Sequence, residues 1–254
     1  MLTQARIDNL LYSRPELYEL VYPEPDEETP NLCRRLFDRY LATPPVSILD
    51  IGCGTGRDLA ALARDIPDCW GVDVSPSMLK YAGTVHPDLH LQLGDLRSVR
   101  LGRSFDVITC LGSVLMYALD NADVQRAFDT FVAHAHRGTL LVLDLNNAMS
   151  FLGDGWAPTQ QRHVDTPMFT ATAHIRNTLD RRRQRWIRER RWHFDDGSKI
   201  DDYCAYRLFF PAELEHLLEQ NGFRTLGMFD TLTLDDSDFS GPRVYVAAIR
   251  EPVA

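Results

Sequence analysis

The chain has 254 residues, is 44% hydrophobic and carries a formal net charge of -9. That length and apolar content suffice for one sizeable core. An acidic balance argues against a duplex nucleic acid or an anionic membrane as the main partner.

The first 28 residues lack a basic stretch followed by an apolar one, and no apolar run in the sequence is long enough to span a bilayer. Cys33, Cys53, Cys69, Cys110 and Cys204 form no C-x-x-C pair. An odd, unpaired set fits reduced thiols in a cytoplasmic protein, and no metal site is expected.

Helical spacing of apolar residues predicts helices over Ala5 to Tyr12, Pro15 to Tyr22 and Glu27 to Leu41, ended by Thr43-Pro44-Pro45. Strands and helices then alternate. Strands are expected at Val46 to Ile51, Cys69 to Val74, Leu89 to Leu93, Phe105 to Cys110 and Thr139 to Leu145. Helices are expected at Thr55 to Ile66, Pro76 to Thr84 and Asp123 to His136. This order implies βαβ crossovers and a mostly parallel sheet covered on both faces.

The pattern changes after Asn147. Gly153 to Pro158 reads as a loop, and Phe169 to Thr178, Gln184 to Phe194 and Ile200 to Phe209 read as antiparallel strands. Asp195-Asp196-Gly197-Ser198 is a good turn between the last two. Pro211 to Asn221 is a helix closed by Gly222, and Phe223 to Leu234 with Arg243 to Arg250 are the final strands. The expected organisation is an N-terminal helical cover (1–45), a core (46–147 and 211–254) and an antiparallel β insertion (148–210), all in one structural domain.

The most informative segment is Asp50-Ile51-Gly52-Cys53-Gly54-Thr55-Gly56, between the first strand and its helix. Glycines there let a ligand approach the backbone, and the helix start adds free N–H groups. A dinucleotide loop reads G-x-G-x-x-G, whereas here Arg57 occupies the third glycine position and Asp50 precedes the first. A carboxylate at that place repels a pyrophosphate and suits an ammonium.

Together with Gly71-Val72-Asp73-Val74-Ser75, Met78, Gly94-Asp95-Leu96 and Phe105-Asp106-Val107-Ile108, this loop resembles that of the class I S-adenosylmethionine-dependent methyltransferases. The resemblance covers roughly Val46 to Leu145 and the closing strands. It implies a Rossmann-like, mostly parallel seven-stranded sheet with a last strand inserted antiparallel beside the fifth. It also implies S-adenosylmethionine as cofactor. The loop of Gly52, Cys53, Gly54 and Gly56 would cradle the methionine and ribose, and Asp50 would meet the ammonium. Asp73 would take both ribose hydroxyls, Val74 and Met78 would pack on adenine, and Asp95 and Leu96 would bond the ring. Cys110 and Leu111 would line the sulfonium pocket, and Tyr18 or Tyr22, with Tyr22 favoured, would close over the methionine carboxylate. Taken singly, each of these residues has an ordinary structural reading; their joint order carries the assignment.

The insertion resembles in layout that of small-molecule methyltransferases, including enzymes acting on nucleotide-linked amino sugars. The expected acceptor is therefore a small molecule methylated on N or O, by a monomer or homodimer. Asn146 and Asn147 are acceptor-binding candidates, and His193 is the candidate base because its strand is expected near the pocket. The stretch Arg181 to Arg191 would meet a substrate anion, or form a solvated face paired with Asp195, Asp196, Asp201 and Asp202. Two rival functions are an NAD-dependent oxidoreductase and a non-catalytic S-adenosylmethionine-binding protein.

Overall fold

The computed structural model describes residues 9–23, 27–152, 156–235 and 237–251. The expected helix residues 5–8 and loop residues 153–155 lie outside these. Three helices open the chain: α1 (Leu10–Ser13), α2 (Pro15–Val21) and α3 (Glu28–Tyr40). Asn9 caps α1 through its side chain, and Pro15 starts α2, where a missing N–H costs nothing.

The core alternates β1 (Ser47–Ile51), α4 (Arg57–Leu62), β2 (Asp68–Asp73), α5 (Pro76–Val85), β3 (His90–Leu93), β4 (Phe105–Cys110), α6 (Asn121–Ala133) and β5 (Ala135–Asn146). The insertion holds β6 (Thr159–Asp165), β7 (Thr170–Asp180), β8 (Arg185–Phe194) and β9 (Lys199–Arg207). The chain closes with α7 (Pro211–Gln220), β10 (Phe223–Phe229) and β11 (Arg243–Arg250). The main sheet runs β10-β11-β5-β4-β1-β2-β3, with β11 antiparallel to both neighbours and the other pairs parallel. β1 is buried at every residue, as a central parallel strand covered on both faces must be. The order reverses between β1 and β4, so the ligand crevice opens beyond the ends of β1, β2 and β4.

Several boundaries differ from the sequence reading. β6 was not expected, because Thr159 to Asp165 is polar and almost wholly exposed at the sheet edge. α6 starts earlier, where Asp120 caps the Asp123 N–H, and β5 is longer at both ends. β10 stops at Phe229, after which Asp230 accepts the Gly241 N–H and turns the chain.

The insertion is a four-stranded antiparallel sheet, β6-β7-β8-β9. Its inner face alternates Ala171, Ala173 and Ile175 on β7 with Trp186, Arg190 and Trp192 on β8. Leu10, Leu11, Leu17 and Val21 of the N-terminal helices pack on this face, so cover and insertion share one apolar cluster. Trp186, Cys204 and Tyr206 belong instead to the main core, which locks the insertion to the parallel sheet.

The arginine-rich strand divides by face. Arg191 and Asp201 form an exposed pair at 2.7 Å. Arg190 and Asp202 form a pair at 2.6 Å with side chains only 4% and 1% accessible. Asp202 also accepts the Trp192 indole at 2.9 Å and the Leu10 N–H at 3.4 Å, tying α1 to β8 and β9. Removing one member of a buried pair strands the other charge, at a cost of roughly 3–5 kcal/mol. Asp202→Ala is therefore expected to lose about that much in urea denaturation. Asp201→Ala, on the solvated face, is expected to leave the midpoint unchanged.

Candidate functional site

The glycine loop is registered on β2 by hydrogen bonds. The N–H groups of Gly52 and Cys53 donate to Val72 O at 2.7 and 3.0 Å, and that of Gly54 to Asp73 Oδ2 at 2.9 Å. Ser75 N–H donates to Asp73 Oδ1 at 2.7 Å, and Ser75 caps α5 through Met78 N–H. Asp73 is thus fixed at the tip of β2 with lone pairs left on both oxygens.

A cavity of about 980 Å³ opens against this loop. Asp50, Gly52, Cys53, Gly54, Asp73, Val74, Met78, Asp95, Leu96 and Leu111 all line it, as do Thr55, Arg57 and Arg97. At Gly54, with φ +55°, a Cβ would find nothing within 4 Å, so the bare backbone faces open space. At Gly52 it would meet Val114 at 2.4 Å, so the single helical turn Val114–Tyr117 is pressed onto the loop.

Three of the carboxylates that line this space, at the strand tips, are in different states. Burial pushes Asp50 up to about 7, opposed by the Thr109 hydroxyl bond at 2.8 Å and reinforced by the charge of Asp73. Burial also raises Asp73, against the backbone N–H bonds it accepts. For Asp95, burial pushes upward but is outweighed by Arg97, which bonds both oxygens and holds it below the usual range.

Other expected site residues lie elsewhere. His193 does not line the cavity: Trp192 fills the inner face of β8, so the two-residue alternation turns His193 outward. There its ring meets that of His174 at 4.8 Å. Asn147 is fully buried and structural, donating to Phe239 O and Gly241 O and capping the turn at Met149. Asn146 is held by Ser113 and Arg243, away from the cavity wall. Cys110 is sealed in the core, and Gly56 serves packing, since a Cβ there would sit 3.3 Å from Ala82 and Leu89. Tyr22 stacks on Tyr18 and under Arg162; Tyr18 is the one that reaches the cavity.

Tyr12, Tyr117 and Ile200 line the cavity and were not read from the sequence. Tyr117 depends on a loop with Ser113 at φ +68°, held by Asp144. Asp144 accepts the Gly112 N–H at 3.0 Å and the Arg243 guanidinium at 2.8 Å. Among the described residues no helix is long and apolar enough to cross a membrane, and no cluster of metal-ligating side chains occurs.

A seven-stranded sheet with one reversed strand, a bare glycine loop and acidic strand tips defines the α/β domain of nucleoside-dependent methyl transfer. Its carboxylates suit hydroxyls and a cation, and disfavour a pyrophosphate. A family model described as a methyltransferase domain matches residues 48–138. A dTDP-4-amino-2,3,4,6-tetradeoxy-D-glucose N,N-dimethyltransferase of Saccharopolyspora spinosa is 32% identical over 181 residues, 70% of this chain and 71% of its own. A dTDP-3-amino-3,4,6-trideoxy-alpha-D-glucopyranose N,N-dimethyltransferase of Streptomyces venezuelae is 32% identical over 110 residues, 43% of this chain. That match spans 46% of the Streptomyces protein, about half its length. A sugar N-methyltransferase from Streptoalloteichus superposes with a TM-score of 0.78 at 21% identity, covering 99% of this chain and 97% of that one. The last comparison speaks for the fold. The chain belongs to the S-adenosylmethionine-dependent methyltransferases of class I.

Gly54→Ala tests the loop. Left-handed backbone costs an alanine about 1–2 kcal/mol, and here the methyl also enters the open space. The variant is expected to bind S-adenosylhomocysteine at least about tenfold more weakly by calorimetry. Gly102→Ala, with φ +69° and nothing within 4 Å in a surface turn, carries the same strain and is expected to keep wild-type affinity.

Proposed function

We propose that this chain methylates the amine nitrogen of a small-molecule acceptor, of the nucleotide-linked amino-sugar class, using S-adenosylmethionine. The observation that carries this reading is one cavity lined both by acidic strand tips and by half-buried phenols. The carboxylates fit the cofactor, and the phenols fit an acceptor amine in its uncharged form. The relatives' named activities on dTDP amino sugars support the choice of nitrogen.

In this reading Asp73 accepts the two ribose hydroxyls with the lone pairs its backbone bonds leave free. Val74 and Met78 flank the base, and Leu96 N–H bonds its ring. Asp95 reaches the base while braced by Arg97. Gly54 lets the ligand lie against the backbone, and Asp50 meets the ammonium. When bound, the cofactor supplies an electrophilic methyl on a sulfonium. The chain's own task is to hold the acceptor in line and exclude water, which lowers such barriers by about 7–11 kcal/mol in favourable cases.

Asp50 makes the binding pH-dependent, with a definite sign. Its carboxyl is protonated below about 7 in the free protein, because burial disfavours the charge. A cationic ligand needs the carboxylate, so binding below that pH releases a proton. The affinity for S-adenosylhomocysteine is expected to rise by up to about tenfold per unit up to pH 7 and then level off. Calorimetry in buffers of different ionisation heat reads the proton directly. Asp50→Asn is expected to bind weakly at every pH and to lose the slope; a slope retained in that variant counts against the assignment.

A radiolabelled methyl-transfer screen of amines, phenols and carboxylates tests the acceptor. Transfer to a dTDP-linked amino sugar is expected, and transfer only to oxygen acceptors would overturn the nitrogen assignment.

A further inference from the structure

Part of the cavity lining is built of linked phenols. Tyr12 on α1 and Tyr117 both face it, and their hydroxyls meet at 2.8 Å. Tyr117 donates onward to Tyr206 on β9 at 3.2 Å, and those two rings lie 5.0 Å apart. A phenol has one proton. Tyr117 spends its own on Tyr206, so Tyr12 is the donor in the first bond. The chain therefore reaches the cavity on Tyr12 Oη, a lone-pair acceptor with no proton left to give.

The pair also stands at a definite place along the site. Val114, three residues before Tyr117, is packed on Gly52 beside Asp50. The carbonyl of Tyr12 accepts the Ser75 hydroxyl at 3.1 Å, next to Asp73. The pair thus joins the element packed beside Asp73 to the turn packed on the glycine loop beside Asp50, the two carboxylates that would meet the ribose and the ammonium. No histidine lines the cavity among the described residues, and of its carboxylates Asp201 is paired with Arg191 at 2.7 Å and Asp95 with Arg97 at 2.8 Å.

We propose that the Tyr12–Tyr117–Tyr206 chain is the acceptor-amine site: Tyr12 Oη takes an N–H of an uncharged amine and so directs the nitrogen lone pair at the methyl donor, without a general base. The proposal rests on the amine reading above. The nitrogen lone pair forms the new N–C bond as the C–S pair stays on sulfur, and the nitrogen keeps the charge. Its extra proton passes to water after release. Burial pushes all three phenols up, so they stay neutral and act as hydrogen-bonding groups rather than bases. The groups facing them are Tyr18 and Tyr22 from the α2 side and Cys204 on β9, with Arg188, Arg190 and Asp202 beside Cys204 and Asp201 on the cavity lining. Tyr12 and Tyr117 are acceptor-positioning residues, and Tyr206 fixes the direction of the chain.

The test uses the full chain, S-adenosylhomocysteine and a dTDP-linked 4-amino sugar as probe. Tyr12→Phe is expected to weaken calorimetric binding of the probe to the homocysteine complex about tenfold, the worth of one hydrogen bond. Its affinity for S-adenosylhomocysteine is expected to stay within about twofold, which also reports that the variant folds. Tyr206→Phe lies outside the cavity; by freeing the Tyr117 proton to turn back on Tyr12, it is expected to weaken the probe by about threefold to fivefold. At saturating cofactor, so that Asp50 is already ionised, the pH midpoint of kcat/KM is expected to follow the basicity of each amine used. Wild-type probe binding in Tyr12→Phe, or one fixed midpoint for amines of different basicity, overturns the phenol site alone. A wild-type protein that neither binds nor methylates any amine overturns the amine reading and this site with it.

Discussion

The bond from Gly54 N–H to Asp73 is the constraint on which the cofactor side of the cavity depends. It joins the loop after β1 to the tip of β2, and it does so with the one carboxylate expected to meet the ribose. Because Gly52 and Cys53 also donate to Val72 O, the loop cannot move without breaking its register on β2. The open space at Gly54 is therefore a fixed feature of the fold. The cost is carried by Asp50 and Asp73, two acidic groups whose charge burial disfavours. A cationic ligand of the kind proposed would relieve that cost, which would link binding energy to charge.

The second constraint lies at the phenols of the cavity lining. The loop after β4 holds Ser113 in left-handed backbone, and a non-glycine residue stays there only when its surroundings impose it. Here Asp144 and Arg243, from β5 and the reversed strand β11, do so. The antiparallel strand that closes the sheet thus positions Tyr117 as well as completing the core.

What could be read from the sequence follows from how local each signal is. The strand tips and their loops were legible because Asp50 to Gly56, Asp73 to Met78 and Asp95 to Leu96 are contiguous, and each carries its chemistry within a few residues. The edge strand β6 was not legible, since it buries almost nothing and so carries no apolar alternation. His193 was placed on the right strand but on the wrong face, because a one-residue difference in phase reverses a strand's side chains. Arg190 and Arg191 show the same effect: adjacent in sequence, one lies in a buried pair and the other in water. The phenol chain was the hardest to see. Successive members of the chain Tyr12, Tyr117 and Tyr206 are 105 and 89 positions apart, and their meeting is a product of tertiary packing alone.

The same packing explains why cover and insertion have to be considered together. Asp202 ties α1 to β8 and β9 through Leu10 and Trp192, so the helix that presents Tyr12 is docked on the strand that presents Tyr206. The two elements meet at a buried ion pair that touches neither hydroxyl and within a shared apolar cluster. A polar pair in such a place contributes little to stability over an apolar one; it holds β8 to β9, while α1 is held mainly by its apolar packing, with the Leu10 N–H bond to Asp202 added. The helix that presents Tyr12 is thereby held by side-chain packing and bonds, where the glycine loop uses backbone bonds.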